Sequence, residues 1–349
     1  DIDFVAYEVI KPVLTPKEQI EKLDSLHLDI VLNDYKNSIT NDELSQLLLS
    51  WRDSYKYEID GIIVVDNKIY ERENKNPEHG FAFKMVISDQ IAEALVVDVL
   101  WDPSKDGYLK PRIRIEPITL GGAKIEYATA FNAGFVEKNK LGIGAMIKLV
   151  RSGDVIPHIL DVVTPASEAK FPHESYEWND THVDILLKNP NDNEIVQKKN
   201  IEYFFKTLKV VNLGPGMINK LVKANYNTIG KILEMTVSDY ETIEGIKHTL
   251  ASKIYKSIEE CVEKASLAKI MTGSNVFGHS IAREKIKLIL ENYSNVLTDT
   301  LSDNDKIEKI KEIKGMAQKT SEAFVNNIPK FIEFLEETKL SYKLEETKI

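Results

Sequence analysis

Cysteine is almost missing from this sequence: Cys261 stands alone among 349 residues. A single thiol excludes an internal disulfide and a four-cysteine zinc site, so no zinc is expected, and it fits a reducing intracellular compartment. Long apolar runs are missing too. None approaches the roughly 20 residues that cross a bilayer, so no membrane partner is expected. The opening Asp1-Ile2-Asp3-Phe4 has neither an initiator Met nor a basic leader and reads like the inside of a strand, which suggests a portion of a longer chain. Positive charge is in deficit. The net charge of -10 argues at first against a nucleic-acid partner, because binding DNA means neutralising phosphates. What is present, 43% apolar and 29% charged residues, describes a soluble globular protein, and the length favours two or three domains.

The charge is unevenly spread. Lys105 to Gly153 holds nine Lys or Arg against four Asp or Glu, and Lys198 to Met235 holds seven Lys against two Glu. Each is a basic island in an acidic protein, and local charge decides nucleic-acid binding.

Residues 1–89 alternate strand and helix signals. Phe4 to Ile10 has strand composition. Thr15-Pro16-Lys17-Glu18 starts a helix with a capping residue and a first-turn proline. Asn41-Asp42-Glu43-Leu44 starts another, with Leu44, Leu47, Leu48 and Trp51 at helical spacing. Residues 90–165 are short β-rich runs between turn signals, the pattern of a small barrel such as an oligonucleotide-binding (OB) fold. Residues 166–196 are polar and broken by Pro172 and Pro190, a linker. Residues 197–330 are helical, and 331–349 read as a tail. The fold class is therefore multidomain α+β.

The helical part carries an approximate repeat. Its units are Val211-Asn212-Leu213-Gly214-Pro215-Gly216, Thr242-Ile243-Glu244-Gly245-Ile246-Lys247, Ser274-Asn275-Val276-Phe277-Gly278-His279 and Glu312-Ile313-Lys314-Gly315-Met316-Ala317. A tight glycine corner exposes backbone N–H groups, and the following helix adds its positive end. A DNA phosphate fits there without any base being read. One such corner is equally at home in a plain helical bundle. Four in succession favour binding of the DNA backbone, at Gly214, Gly216, Gly245, Gly278 and Gly315, with the fourth unit serving mainly in packing.

Tyr57-Glu58-Ile59-Asp60-Gly61 opens the apolar run Ile62 to Val65, and Phe81-Ala82-Phe83-Lys84 answers it. Taken singly, Asp60 reads as a turn residue and Lys84 as an exposed strand end. Further on come Ile115-Glu116-Pro117-Ile118, Ala128 to Ala133, and Arg151-Ser152-Gly153-Asp154-Val155-Ile156-Pro157. In this order the segments resemble the back half of an NAD-dependent DNA ligase. The likeness is strongest from Tyr57 to Val163 and good from Val196 to Ile328.

The resemblance implies three parts: the rear of an α/β nucleotidyltransferase domain, an OB-fold barrel and an all-α helix-hairpin-helix domain. It implies NAD as the AMP donor, magnesium as the ion, and nicked double-stranded DNA as the partner, in replication or repair. By it, Asp60 supports the nucleotide and metal, Lys84 holds the adenylate phosphate, and Tyr7 stacks on adenine. Arg151 and Lys105 contact DNA, and Val155 and Ile156 press on the minor groove. Lys105 stands where the family has an arginine, so the forked geometry is lost.

The sequence departs from the family in four ways. The nucleophile motif Lys-x-Asp-Gly is absent, since Glu58 stands two residues before Asp60, so the attacking lysine is expected from an upstream segment or a complementary chain. Val65 replaces a phosphate-contacting lysine, and Lys68 substitutes for it only if the chain turns between them. The zinc module is gone, which leaves its spacer role to packing and suits compact viral or phage variants. No segment matches the family's C-terminal domain. A non-catalytic DNA-binding relic or scaffold is the rival reading. An ATP-using ligase or capping relative ranks lower, because it lacks the corner repeat.

Overall fold

The structure is a computed structural model describing residues 2–72, 77–84, 91–120, 122–150, 157–278 and 280–345. The chain divides into two compact units. One comprises Asp1–Val99, Ile113–Ala130 and Asn139–Ala169, and the other Leu100–Arg112, Phe131–Lys138 and Lys170–Ile349.

The first unit begins with α1 (Pro16–Ser25) and α2 (Asn41–Ser54), where the sequence signals place them. Thr15 and Thr40 each close a capping box, with Glu18 and Glu43. Such a box satisfies two otherwise orphaned backbone donors. Leu44 and Leu48 of α2 are buried. The strand expected over Phe4–Ile10 is reduced to one parallel bridge, Ala6 to Ile30. Only Ala6 turns inward there, while Phe4, Tyr7 and Ile10 face solvent. Strands β1 (Ile62–Val65) and β2 (Gly80–Phe83) form an antiparallel ribbon, with Ile62 opposite Phe83 and Val65 opposite Gly80.

The barrel expected from the turn spacing is present. Its strands are β3 (Ile91–Pro103), β4 (Tyr108–Leu120), β5 (Ala123–Thr129), β6 (Met146–Val150) and β7 (His158–Thr164), with helix α3 (Ala133–Lys138) between β5 and β6. They pair in the order β3-β6-β7-β5-β4, and a β3–β4 pairing closes the ring. Strand β4 shows why it closes: Leu109, Ile113 and Ile115 point inward and Lys110, Arg112 and Arg114 outward. Period-two alternation gives such a strand one apolar face.

In the second unit, β8 (Tyr176–Trp178) and β9 (Ile185–Leu187) make a hairpin, and β9 adds to β4 at Tyr108 and Leu109. The segment read as a linker is thus folded. Phe171 lies within stacking distance of Trp101, Tyr176 and Trp178. Leu109, Ala133, Ile185, Leu187 and Val196 form a small core beside them. Ring packing holds this module together.

Among the described residues nine helices follow: α4 (Glu194–Leu208), α5 (Pro215–Lys223), α6 (Ile229–Leu233), α7 (Val237–Glu241), α8 (His248–Lys264), α9 (Leu267–Ser274), α10 (Arg283–Asn292), α11 (Asp303–Lys311) and α12 (Gln318–Glu337). They share one continuous apolar core. Helix α12 runs through the boundary at residue 330. Phe331 and Leu335 are fully buried, so the expected tail begins instead as the end of this core helix. Apolar spacing at Phe324, Ile328, Phe331 and Leu335 carries the helix onward.

Candidate nucleotide and DNA sites

The ribbon β1–β2 brings two distant residues together. Pairing Ile62 with Phe83 sets Asp60 and Lys84 at the same end, and the Lys84 ammonium donates to Asp60 Oδ2. Gly61 makes the approach possible: a Cβ there would lie 2.6 Å from the Phe83 carbonyl oxygen and 2.9 Å from Lys84 Cγ. Arg52, in the last turn of α2, braces the segment from behind. Its Nε donates to the Ile59 carbonyl at 2.9 Å and an Nη to that of Asp60 at 3.4 Å. Asp60 Oδ1 is buried and has no hydrogen-bond partner among the described residues. The site therefore offers one committed and one uncommitted carboxylate oxygen beside a cation.

Tyr7 is held by its neighbour. Ala6 N–H donates to the Asp29 carbonyl and Val31 N–H to that of Ala6, leaving the Tyr7 side chain 72% exposed. Among the described residues no hydrogen bond or ring contact joins Tyr7 to Asp60 or Lys84. At the far end of β1 the chain does turn. Lys68 Nζ lies 2.9 Å from Asp66 Oδ2, and the Tyr70 hydroxyl donates to the same oxygen at 2.6 Å. These bonds hold the Asp66 carboxyl below its usual range. Lys68 is therefore paired locally, and Val65 is left without a cationic substitute in the strand.

The four corners share one construction. Leu213, Ile243 with Ile246, Phe277 with Ile281, and Ile313 with Met316 are buried anchors. Gly245, Gly278 and Gly315 take positive φ of 81°, 71° and 93°, a region open mainly to glycine. In the first corner Asn212 takes that role at 62°. The helices that follow are α5, α8, α10 and α12. Their N-caps are Gly214, Lys247, Ala282 and Ala317, and none makes a side-chain cap bond. By contrast Asn193, Thr228, Thr236 and Ser302 cap their helices. The corner helices thus keep first-turn N–H groups free of a capping side chain. Open space surrounds Gly214, Gly216, Gly278 and Gly315, where an added Cβ meets nothing within 4 Å. Gly245 differs. Lys220, from α5, donates to the Glu244 carbonyl at 3.0 Å and lies 2.9 Å from where a Gly245 Cβ would be.

The barrel's charge is less free than its sequence implied. Lys110 faces Asp184, Arg112 faces Asp102, and Arg114 faces Asp98. Lys105, expected on a phosphate, is committed inside its own unit. Its ammonium reaches Asp106 at 3.1 Å, donates to Asn275 Oδ1, and lies 4.5 Å from the Tyr203 ring centre. Arg151, Val155 and Ile156 lie outside the described residues.

Comparison with known proteins bears on this arrangement. The family model of the NAD-dependent DNA ligase OB-fold domain matches residues 93–170. A DNA ligase of Acanthamoeba polyphaga mimivirus is 36% identical over 337 residues, 96% of this chain and 53% of that protein.

The chain is kin to the NAD-dependent DNA ligases.

A putative DNA ligase, 205R, of Invertebrate iridescent virus 6 is 31% identical over 330 residues, 92% of this chain and 52% of its own length. A DNA ligase of Leptospira interrogans is 27% identical over 315 residues, 84% of this chain and 46% of its own. The chain spans about half the length of these ligases. No helix among the described residues is long and apolar enough to cross a membrane.

Ligase kinship raises the question of a metal. Magnesium usually takes one or two carboxylates and completes its shell with phosphate and water oxygens. The free, buried Asp60 Oδ1 fits that role. The described residues contain no group of three or more His, Cys, Asp or Glu that could hold a metal alone. Zinc, which needs such a set, has no site among them.

Sequence reasoning missed three features of this ligase relative: the Arg52 brace, the Lys220 link and the Asn275 end of the Lys105 network. Arg52 had a signal, as a basic last-turn residue eight positions before Asp60. The other two are tertiary contacts with no local pattern.

Proposed function

We propose that this chain is the nick-holding portion of an NAD-dependent DNA ligase. Residues 1–89 are the rear of its nucleotidyltransferase domain, 90–165 the OB-fold, and 197 through the end of α12 the helix-hairpin-helix domain. The observation that carries the reading is the set of four corners, each with a glycine at its turn and a following helix that has no side-chain cap. Backbone N–H groups at such ends favour phosphate whatever the base sequence. That suits an enzyme that must act at any nick. Gly214, Gly216, Gly245, Gly278 and Gly315 mark the surfaces, and Arg151, Val155 and Ile156 add the barrel's contact beside the nick.

The chemistry is adenylyl transfer. A lysine displaces nicotinamide mononucleotide from NAD and keeps AMP; AMP passes to the 5′-phosphate; the 3′-hydroxyl then displaces it and seals the strand. Lys84 holds the adenylate phosphate, Asp60 orients Lys84 and offers Oδ1 to magnesium, and Tyr7 presents a free ring to adenine. Magnesium, when bound, stabilises charge on the phosphate in transfer. The nucleophile comes from a Lys-x-Asp-Gly segment outside this sequence, upstream or on a second chain. The ribbon supports such a partner: Ile63 and Val65 share one face and are exposed, Ile63 at 72%. A two-stranded ribbon is marginal alone in water.

The test is direct. Mixed with NAD, magnesium and a nicked duplex, this chain binds the nick and forms no covalent lysyl-AMP. Failure to bind nicked DNA, or formation of the adduct by this chain alone, overturns the reading. The second reading, a relic that binds nicks without catalysis, draws on Val65 and on the local pairing of Lys68.

A further inference from the structure

Asn275 is the C-cap of α9, in the left-handed conformation with φ 57°. Asparagine is one of the few side-chain residues that enter this region readily. Its amide is fully used. Oδ1 accepts from the Lys105 ammonium, and Nδ2 donates to Asp106 Oδ1 at 2.8 Å and to Asn200 Oδ1 at 3.0 Å. Lys105 and Asp106 form the turn between β3 and β4. The same turn is gripped from α4, where Lys199 donates to the Pro103 carbonyl at 2.6 Å and Asn200 to that of Lys105 at 2.9 Å.

This network lies within the second unit and is largely withdrawn from water. The Lys105 and Asp106 side chains are 23% and 17% exposed. Two charges at such burial persist only when each has its partners. On its other side Asn275 begins the third corner: its carbonyl accepts from Gly278 N–H at 3.1 Å, and the Gly278 carbonyl from Ile281 N–H at 3.3 Å. A cavity of about 180 Å³ is lined by Lys105, Tyr203, Asn275, Phe277, Gly278 and Ile281 among others.

We propose that Asn275 is a positioning residue that fastens the third corner to the β3–β4 turn, so that the corner's contact with a DNA phosphate is set by the Lys105–Asp106 pair. The role of Lys105 is then to hold this corner in register. The link rests on the proposed DNA binding for its function, though not for its existence.

The experiment has two arms. Amide hydrogen exchange without DNA reads the link itself. Asn275→Gly keeps the backbone conformation and removes the amide. Both it and Asp106→Asn speed exchange at Gly278 and Ile281 at least tenfold, with Ile246 and Met316, the matching amides of the second and fourth corners, unchanged. Unchanged exchange at Gly278 and Ile281 overturns the proposal. So does equal acceleration at all corners.

The second arm is interference by single methylphosphonate substitutions in a nicked duplex. In Asn275→Gly one phosphate position ceases to matter and the others keep their effect. Asn275→Asp, which sets two carboxylates together and removes the donor to Asn200, gives the same result. Uniform loss across all phosphates, or unchanged interference at every position in both variants, overturns the proposal. If the unaltered chain ignores nicked DNA while the exchange result holds, the proposed function fails and the link stands as a structural one.

Discussion

Asp60 and Lys84 lie 24 residues apart in the chain and form an ion pair across the β1–β2 ribbon. Each is roughly half exposed, at 40% and 47% of the side chain. A pair so exposed adds about 0–1 kcal/mol to stability. Its removal should therefore spare the fold and strike function. Asp60→Ala and Lys84→Met are expected to shift the melting temperature by less than about 3 °C and to abolish nick sealing once a Lys-x-Asp-Gly segment is supplied. A large loss of stability in either variant would recast the pair as structural.

Gly216 separates DNA binding from folding. It lies in the first turn of α5 with open space around its Cα. Alanine there should raise helix stability by roughly 0.5–1 kcal/mol. The same methyl intrudes where a phosphate is proposed to approach. Gly216→Ala should melt higher and bind nicked duplex more weakly. Tighter or unchanged binding removes the first corner from the DNA surface.

Lys220 ties two corners together, since it sits on α5 and donates to the Glu244 carbonyl. One bond leaves an ammonium two further donors. If it also meets a phosphate, Lys220→Ala should lower the slope of log affinity against log salt by about 0.9. Lys220→Arg keeps the charge and should keep most of the slope. Titrations at several salt concentrations decide this. Lys311, paired with Glu308, serves as the control whose removal leaves the slope unchanged.

The module at 170–188 should behave as metal-free. A chelator is expected to leave its melting unchanged, whereas Phe171→Ala should cost about 2–4 kcal/mol through lost ring packing. Phe331→Ala should cost about 3–5 kcal/mol, because that ring is fully buried in α12. Thermal scans of the two variants, with and without chelator, check both.

Acid should loosen the approach to the fourth corner. The Tyr293 hydroxyl donates to Asp299 at 2.7 Å, and Leu301 N–H donates to the same carboxylate at 2.6 Å. These bonds hold the Asp299 carboxyl below its ordinary value, while burial and Asp299 push Tyr293 up to about 12. A depressed carboxylate stabilises the fold fully above its unfolded pKa. That contribution disappears as pH falls through the folded value. Hydrogen exchange in α11 should therefore rise on acidification below about pH 4. In Asp299→Asn this added pH dependence should vanish.

Much of this molecule was legible in advance, and what was not has identifiable causes. The starts of α1 and α2 followed from local signals, Thr15 with Pro16 and the run Asn41-Asp42-Glu43, and the Thr–Glu capping boxes came with the structure. The second, third and fourth corners followed from glycine placement, because positive φ is a residue-level constraint, while in the first Asn212 takes that conformation. The strand expected at Phe4–Ile10 shrank to one bridge, since β composition cannot show whether a neighbouring strand exists. The basic island at 105–153 was partly neutralised by Asp98, Asp102 and Asp184, which a charge count cannot place. Lys105 turned inward for the same reason: Asn275 lies 170 positions away. The apposition of Asp60 and Lys84 was read from a family resemblance, and its cause, Gly61 at the Phe83 carbonyl, is visible only in three dimensions.

The most direct test supplies this chain with an upstream segment carrying Lys-x-Asp-Gly, fused or added in trans, together with NAD, magnesium and nicked DNA. Ligated product is expected with the intact chain and absent with Asp60→Ala or Lys84→Met. No ligation by any such pairing, from a chain that binds the nick tightly, would mark it as a clamp without catalytic parts.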